Sequence, residues 1–339
     1  MRRLAATLLS TLLILSLYAS PTVVPQTRER TVTPPKTDKV DTVKVDVDLV
    51  VLDALVLQKK TARVVGDLKQ SDFTLTEDGV KQEITHFSQD ASPLSVLLMV
   101  DRGGCLDPFG REVRAATRDA LSRLRPQDEV ALMAYSDTVE LVQGFVRDRR
   151  RVEEALDRVP QSNEEAQHCL NRALFDAALY MMEAGNPVGR RVIIFITAVT
   201  SNTDCTDGPS GKAATRAVYE SGSVVCGLIP SSTAQRIEDG AARMGTSIGK
   251  IFKVPSLSIK ELAEETGGEV LDDKPEILDR TFNTLIEHLR TRYQLGFVST
   301  NKKRDGTTRK LKLEINPALK KSQGELVVKT RRTYIAPKS

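Results

Sequence analysis

The stretch that most restricts the fold of this chain is 94–105, LSVLLMVDRGGC. An unbroken apolar run, 94–100, ends in Asp101 and two nearby glycines, and a helix-length segment follows from Arg111. Such a run is typical of a parallel strand that is buried on both faces and leads into a loop. In open α/β sheets, ligands bind at the carboxyl ends of central strands, so we expect Asp101 to lie where a binding site would be.

Three further short apolar segments repeat this pattern, at 129–135, 191–200 and 223–229. Amphipathic segments between and after them predict helices at 111–124, 151–159, 171–182, 260–265 and 276–290. Strands that alternate with helices indicate βαβ units. The middle of the chain is therefore predicted to be an α/β domain with a Rossmann-like, doubly wound, mostly parallel sheet.

Both ends of the folded part alternate apolar and polar residues instead. Before the middle region, half-buried strands are predicted at 43–51 and at 73–87, the latter with a turn at Glu77-Asp78-Gly79. After it, strands are predicted at 292–299, 310–315 and 326–334. A turn at Asp305-Gly306 is expected to connect the strands 292–299 and 310–315. The few strands at either end cannot close a core alone. We therefore expect residues 40–91 and 291–336 to form one smaller β-sandwich-like domain, into which the α/β domain, 92–290, is inserted.

The first 20 residues have the pattern of a secretory signal peptide. Arg2 and Arg3 precede an apolar run, 4–17, and the small residues Ala19 and Ser20 follow. The alternative is an uncleaved membrane anchor, because the run is near the lower length limit for a spanning helix. Residues 21–39, rich in proline, threonine and charge, predict a linker. In both cases we expect an exported protein of the periplasm, the cell envelope or the secreted fraction.

The ends of the apolar strands resemble the von Willebrand factor type A family. In that family D-x-S-x-S, a threonine before a helix and T-D-G hold one Mg²⁺ or Mn²⁺. The resemblance assigns these positions here, through DRGGC, RALFDA and ITAVT, to Asp101, Gly103, Cys105, Arg172 and Ala198. Only Asp101 keeps the family residue, and a hard cation needs about six oxygen ligands. The resemblance thus implies a degenerate site without a metal, where a residual Mg²⁺ would have only Asp101.

The resemblance extends over nearly the whole chain to the VWFA-related proteins of acidobacteria. The segments that carry it are DFTLTEDGVKQEITHF, ELAEETGGEV and YQLGFVSTNKKRDGTTRKLKLEI. This likeness implies an architecture far more than an activity.

Three of the four cysteines are expected near one rim of the α/β sheet, namely Cys105, Cys169 and Cys205. Because an exported chain meets an oxidising environment, we predict a disulfide between two of them. Cys169 with Cys205 is preferred, since Cys105 should point inward, and three free thiols are the alternative. Cys226, inside an apolar strand, should be buried. A zinc site made by the rim cysteines with His168 is a further alternative, but no C-x-x-C pair supports it.

Arg172 falls where the family has its threonine. A guanidinium carries a permanent charge and pairs with carboxylates in a bidentate fork. The sequence therefore suggests that Arg172 neutralises Asp101 in place of the cation. The alternative is that Arg172 turns to solvent and Asp101 caps the following loop or helix.

Catalytic motifs are weak in this sequence. Its three histidines, His86, His168 and His288, are scattered, and no G-x-S-x-G motif is present. GPSGKAAT, 208–215, has the wrong spacing for a phosphate-binding loop, so Lys212 is expected to be solvated. These features disfavour an enzyme.

From Arg290 onward the chain has 14 lysines and arginines against three acidic residues. This charge favours either contact with an anionic envelope polymer or lysines that protect strand edges; nucleic acid is not expected in an exported protein. The leading hypothesis is an exported, non-catalytic, metal-independent protein-binding or adhesion module whose partner meets the top of the α/β domain. The alternatives are a divalent-cation-dependent adhesion module with Mg²⁺ at Asp101 and an envelope hydrolase.

Overall fold

The computed structural model describes residues 49–89, 92–159, 167–186, 189–203, 205, 207–231 and 256–338. The predicted signal peptide (1–20), the linker (21–39) and the first part of the strand predicted at 43–51 lie outside these residues. None of the described helices is long and apolar enough to cross a bilayer.

The described residues form sixteen strands and seven α-helices. The strands are β1 Leu49–Gln58, β2 Phe73–Glu77, β3 Val80–Gln82, β4 Ile84–Ser88, β5 Leu94–Asp101, β6 Glu129–Tyr135, β7 Val139–Val146, β8 Arg190–Ile196, β9 Ser201–Thr203, β10 Val224–Pro230, β11 Ser256–Ser258, β12 Val270–Asp273, β13 Tyr293–Val298, β14 Thr308–Ile315, β15 Leu326–Thr330 and β16 Thr333–Ile335. The helices are α1 Gly110–Ser122, α2 Arg149–Arg158, α3 Leu170–Met181, α4 Gly211–Ser221, α5 Ile259–Thr266, α6 Leu278–Arg290 and α7 Lys320–Gln323. Short 3₁₀ turns lie at Gln70–Asp72, Asp107–Phe109, Pro275–Ile277 and Pro317–Leu319.

A six-stranded sheet, in the order β12-β10-β8-β5-β6-β7, forms the centre of the α/β region. All neighbours in it are parallel except β7, which runs antiparallel to β6 at one edge. Every residue of β5 is buried, as the unbroken apolar run predicts. The α/β fold with a mostly parallel sheet is thus confirmed.

Successive side chains of the central strands point to opposite faces, so each face has its own core. Val96 and Leu98 pack on the side that α1, α2 and α6 cover. Leu97 and Met99 pack on the other side, against α3, α4 and α5. Because helices cover both faces, ligands have access to this sheet at the strand ends.

Two four-stranded sheets, β15-β1-β13-β4 and β16-β14-β2-β3, pack on each other beside the α/β region. Their shared core includes Leu52 of β1, Leu75 of β2, Phe297 of β13 and Leu313 of β14. Strands from before and after the α/β region therefore share one hydrophobic core, as a β-sandwich requires. The exact domain boundaries stay a prediction.

The strand pairing at Asp305-Gly306 was predicted wrongly. β13 pairs with β1 and β4, whereas β14 pairs with β2 and β16, so the two strands lie in different sheets and form no hairpin. The predicted strands 73–87 and 326–334 each divide between the two sheets as well. Alternation tells which face of a strand is buried, but it does not tell which strand lies beside it.

Candidate functional site

Asp101 ends β5 at the rim of the six-stranded sheet, the edge formed by the carboxyl ends of its parallel strands. Asp101 is only 2% exposed to solvent. The carboxylate accepts hydrogen bonds from the Gly103 N–H at 2.9 Å, the Tyr135 hydroxyl at 3.1 Å and the Thr197 hydroxyl at 2.6 Å. Nδ1 of His168 lies 2.9 Å from both carboxylate oxygens. Asp101 is therefore a buried carboxylate with four hydrogen-bonding partners.

The topology of the sheet brings these partners together. Asp101 lies beside Tyr135, the last residue of β6, in the parallel register. Val100 lies beside Ile196, the last residue of β8, and Thr197 follows it. The tyrosine and threonine hydroxyls therefore reach Asp101 from the two neighbouring strands.

His168 reaches Asp101 from the loop before α3. Gly103 makes this approach feasible, because a Cβ atom at that position would lie 2.5 Å from Cε1 of His168. The next residue, Cys169, forms a disulfide with Cys205, with a Cα–Cα distance of 5.5 Å. This confirms the preferred pairing, and the disulfide fixes the chain next to His168.

The electrostatics of the aspartate and the histidine are coupled. Burial acts to raise the pKa of Asp101, but the hydrogen bonds from His168 and Thr197 outweigh it and hold that pKa below its usual value. The hydrogen bond to Asp101 raises the pKa of His168 against the effect of burial. The pair therefore favours a carboxylate next to an imidazolium.

Cys105 is the third member of this cluster and has a free thiol. Its Sγ lies 3.8 Å from the Thr197 hydroxyl. Burial, together with the negative charge of Asp101, raises the pKa of the Cys105 thiol to about 12. The ligand atoms of Asp101, Cys105 and His168 all lie within 4.8 Å of one another.

Arg172 does not neutralise Asp101, so that prediction was wrong. Its guanidinium donates to the carbonyl oxygen of Asp207, and a Cβ on Gly208 would lie 3.3 Å from its Nε. The reason is positional: His168 precedes the first turn of α3 and takes the place next to Asp101, while Arg172, inside the helix, faces the 207–208 loop. Arg172 thus supports the loop beside the rim.

The remaining assigned positions supply no side-chain oxygen for a hard cation. Gly103 and Ala198 have none, and Cys105 offers sulfur. Thr197, one residue before the position of the family's aspartate, offers a hydroxyl, but it already binds Asp101. This donor set does not fit Mg²⁺, which requires near-octahedral oxygen coordination.

Sequence patterns missed Tyr135, Thr197 and the pairing of His168 with Asp101. The histidines seemed scattered, yet the fold brings a cysteine, a histidine and an aspartate together at one strand end. One available signal was the position of His168 directly before Cys169, which was already predicted to lie at the rim. Cys226 is free and fully buried, as expected.

A groove of about 850 Å³ begins at Asp101 and continues along α1 and α2. Charged side chains of both signs line it, including Arg111, Glu112, Arg114 and Asp157. The side chain of Arg111 is 89% exposed. The groove therefore offers a polar surface that is contiguous with the buried cluster.

The basic C-terminal strands carry part of their charge on an exposed face, and contact with an anionic polymer stays a prediction. Lys310 and Lys312 of β14 are exposed, whereas Leu311 and Leu313 between and after them are buried. This part of the charge thus follows from the alternation of a half-buried strand. Lys212, at the start of α4, is exposed, as predicted.

Comparison with known proteins agrees with this architecture. Residues 96–199 match the profile of the von Willebrand factor type A domain. No curated protein matches the sequence significantly.

Several solved structures are similar in part. They include a von Willebrand factor type A protein from Catenulispora acidiphila (11% identity, 87% of this chain and 75% of that one, TM-score 0.43). A second is an aerotolerance-related membrane protein from Bacteroides fragilis (14% identity, 57% of this chain and 98% of that one, TM-score 0.38). A third is proximal thread matrix protein 1 from the mussel byssus (12% identity, 62% of this chain and 49% of that one, TM-score 0.40). The match to the byssus protein thus spans about half of its length. On the profile match, residues 96–199 of this chain belong to the von Willebrand factor type A family.

Proposed function

We propose that this protein is an exported, non-catalytic binding module whose protein partner contacts the rim of the six-stranded sheet. The family supports a role in protein interaction. The observation that carries the proposal is the arrangement at Asp101: the carboxylate is satisfied by groups of its own chain, and the charged groove begins beside it. A non-obligate protein interface is on the whole about as polar as the rest of a protein surface, so the polarity of this groove is compatible with a transient partner.

Partner binding at this rim should not require Mg²⁺. Mg²⁺ there would have to displace the hydrogen bonds of His168 and Thr197, and it would gain no second carboxylate from Ala198. The alternative, Mg²⁺-dependent adhesion through Asp101, makes the opposite prediction. We expect millimolar Mg²⁺ to leave the melting temperature unchanged; a clear rise would favour the alternative.

A hydrolase is the weaker candidate, although Cys105, His168 and Asp101 lie together. A nucleophilic cysteine needs a lowered pKa, and both burial and Asp101 raise the pKa of this one to about 12. We therefore expect slow alkylation of Cys105 by iodoacetamide at pH 7 in folded protein. Rapid alkylation of Cys105 would revive the enzyme hypothesis.

The partner site is tested by charge reversal on the groove. Arg111→Glu changes a side chain that is 89% exposed in the groove beside Asp101. Arg150→Glu is the matched control: its side chain is 85% exposed, at the start of α2. Arg150 follows the end of β7 that lies beside Val130, away from the rim.

In capture from envelope extract, Arg111→Glu should lose a protein that wild type and Arg150→Glu retain. Equal capture by all three proteins would contradict the rim as the binding surface.

Export is tested separately, by mass spectrometry of the envelope fraction, where we expect a mature N-terminus near Ser20. Full-length protein confined to the cytoplasm would contradict export.

A further inference from the structure

We propose that Asp101, Cys105 and His168 form a Zn²⁺ site at the end of β5. This site differs in ligands and in metal class from the oxygen-only Mg²⁺ site of the family. It stands independently of the partner proposed above, because it rests on the cluster alone.

The donor atoms have the chemistry that Zn²⁺ prefers. Zinc binds carboxylate oxygen, imidazole nitrogen and thiolate sulfur, whereas Mg²⁺ and Ca²⁺ select oxygen. The three residues supply one donor of each kind. The replacement of the family's serine by Cys105, which removes a ligand for a hard cation, thus adds one for a softer cation.

The distances agree with a common metal ion. The three donor atoms lie within 4.8 Å of one another, and Nδ1 of His168 is 2.9 Å from each carboxylate oxygen of Asp101. In tetrahedral zinc with bonds of about 2.0–2.3 Å, two ligand atoms lie roughly 3.3–3.7 Å apart. Shifts of well under 1 Å for His168, and somewhat more for Cys105, would therefore bring the three donors to this spacing.

Charge also balances in this site. Binding releases two protons to solvent, the thiol proton of Cys105 and the Nδ1 proton of the His168 imidazolium, because both donor atoms must be deprotonated to coordinate the metal. A carboxylate, a thiolate and a neutral imidazole then neutralise a divalent cation. The negative field of Asp101, which disfavours a free thiolate, favours a cation at the same place.

The surrounding chain holds the ligands in position before any ion arrives. Tyr135 and Thr197 donate to Asp101 at 3.1 and 2.6 Å and orient its carboxylate. Gly103 leaves room for the imidazole of His168. The Cys169–Cys205 disulfide fixes the residue next to that histidine. Such outer contacts typically change metal affinity by about 10- to 100-fold when they are removed.

Three protein ligands leave a fourth position for water or an external donor, as in zinc sites that bind other molecules. The groove beside Asp101 is the surface from which such a donor could approach.

The test uses the mature protein, free of any affinity tag and kept non-reducing so that the disulfide stays intact. Zn²⁺ and Co²⁺ are added as chlorides, and bound metal is measured by mass spectrometry and equilibrium dialysis. We expect one Zn²⁺ per chain. Co²⁺ should give the absorption bands of tetrahedral coordination, with a thiolate-to-metal charge-transfer band.

Cys105→Ser should abolish the charge-transfer band, and both it and His168→Ala should weaken Zn²⁺ binding at least tenfold. Cys226→Ala, at the other free cysteine, and His86→Ala, at an exposed histidine, are the matched controls and should bind like wild type. Circular dichroism verifies that each variant is folded. Folded wild type that binds no Zn²⁺ at micromolar concentration would overturn the proposal, as would a charge-transfer band that survives in Cys105→Ser.

Discussion

Replacement of Glu269 by glutamine should destabilise the protein strongly at neutral pH. Glu269 is 3% exposed and directly precedes β12 of the central sheet. His288 Nδ1 of α6 lies 2.7 Å from its carboxylate, and Lys329 Nζ of β15 lies 3.0 Å from it. This one carboxylate thus joins the α/β region to the β-sandwich, and Glu269→Gln keeps its size while removing its charge.

The magnitude follows from the pKa of Glu269. Burial acts to raise this pKa, but the hydrogen bond from His288 and the charge of Lys329 outweigh it and lower the value from 4.5 to about 2. At about 1.4 kcal/mol per pKa unit, ionised Glu269 stabilises the fold by about 3 kcal/mol at pH 7. Because the folded-state pKa lies below the unfolded one, this stabilisation is present above the unfolded value of 4.5 and is lost as the pH falls towards 2.

Urea denaturation of wild type and Glu269→Gln at pH 7 and pH 3 measures this difference. We expect about 2–3 kcal/mol at pH 7 and less than half of that at pH 3. Glu264→Gln is the control: its side chain is 68% exposed, and its change should stay within about 0.5 kcal/mol. Equal midpoints at pH 7, or a difference that does not shrink on acidification, would show that ionised Glu269 does not stabilise the fold.

Two further predictions concern the rim. Gly103→Ala should displace His168 from Asp101 and lower the free energy of unfolding by about 1–2 kcal/mol. Gly110→Ala is the control and should be neutral or stabilising, because its Cβ would lie 3.5 Å from the nearest atom. Equal effects of the two substitutions would contradict the close approach of His168 to Gly103. Replacing Cys169 and Cys205 together by serine, at a separation of 36 residues, should cost about 3–4 kcal/mol in denaturant unfolding, and an unchanged midpoint would argue against the disulfide.

The parts of the fold that sequence predicted well are those with a strong local pattern. The run 94–100 becomes the fully buried β5, and the alternation of β14 places Leu311 and Leu313 inside. Partner choice among strands has no such local signal. β13 and β14 are separated by a turn-like Asp305-Gly306, yet they join different sheets because each finds its neighbours among strands far away in the chain.

The candidate site was predicted only in outline. Asp101 and the cysteine pair followed from their places at strand ends and in rim loops. The partner of Asp101 did not, because counting along a family motif led to Arg172 in α3. Spatial proximity depends instead on the loop before the helix, where His168 reaches the carboxylate through the space left by Gly103. The packing of the loop before α3 therefore determines that His168, and not the permanently charged Arg172, lies next to Asp101.

Photocrosslinking in intact cells tests directly whether a protein partner contacts the rim. A photoreactive amino acid replaces Arg111 in one strain and Arg150 in another, since both side chains are largely exposed but only the first lines the groove beside Asp101. We expect a discrete crosslinked species in the envelope fraction from position 111 and none from position 150. No adduct at position 111, or the same adduct from both positions, would contradict it.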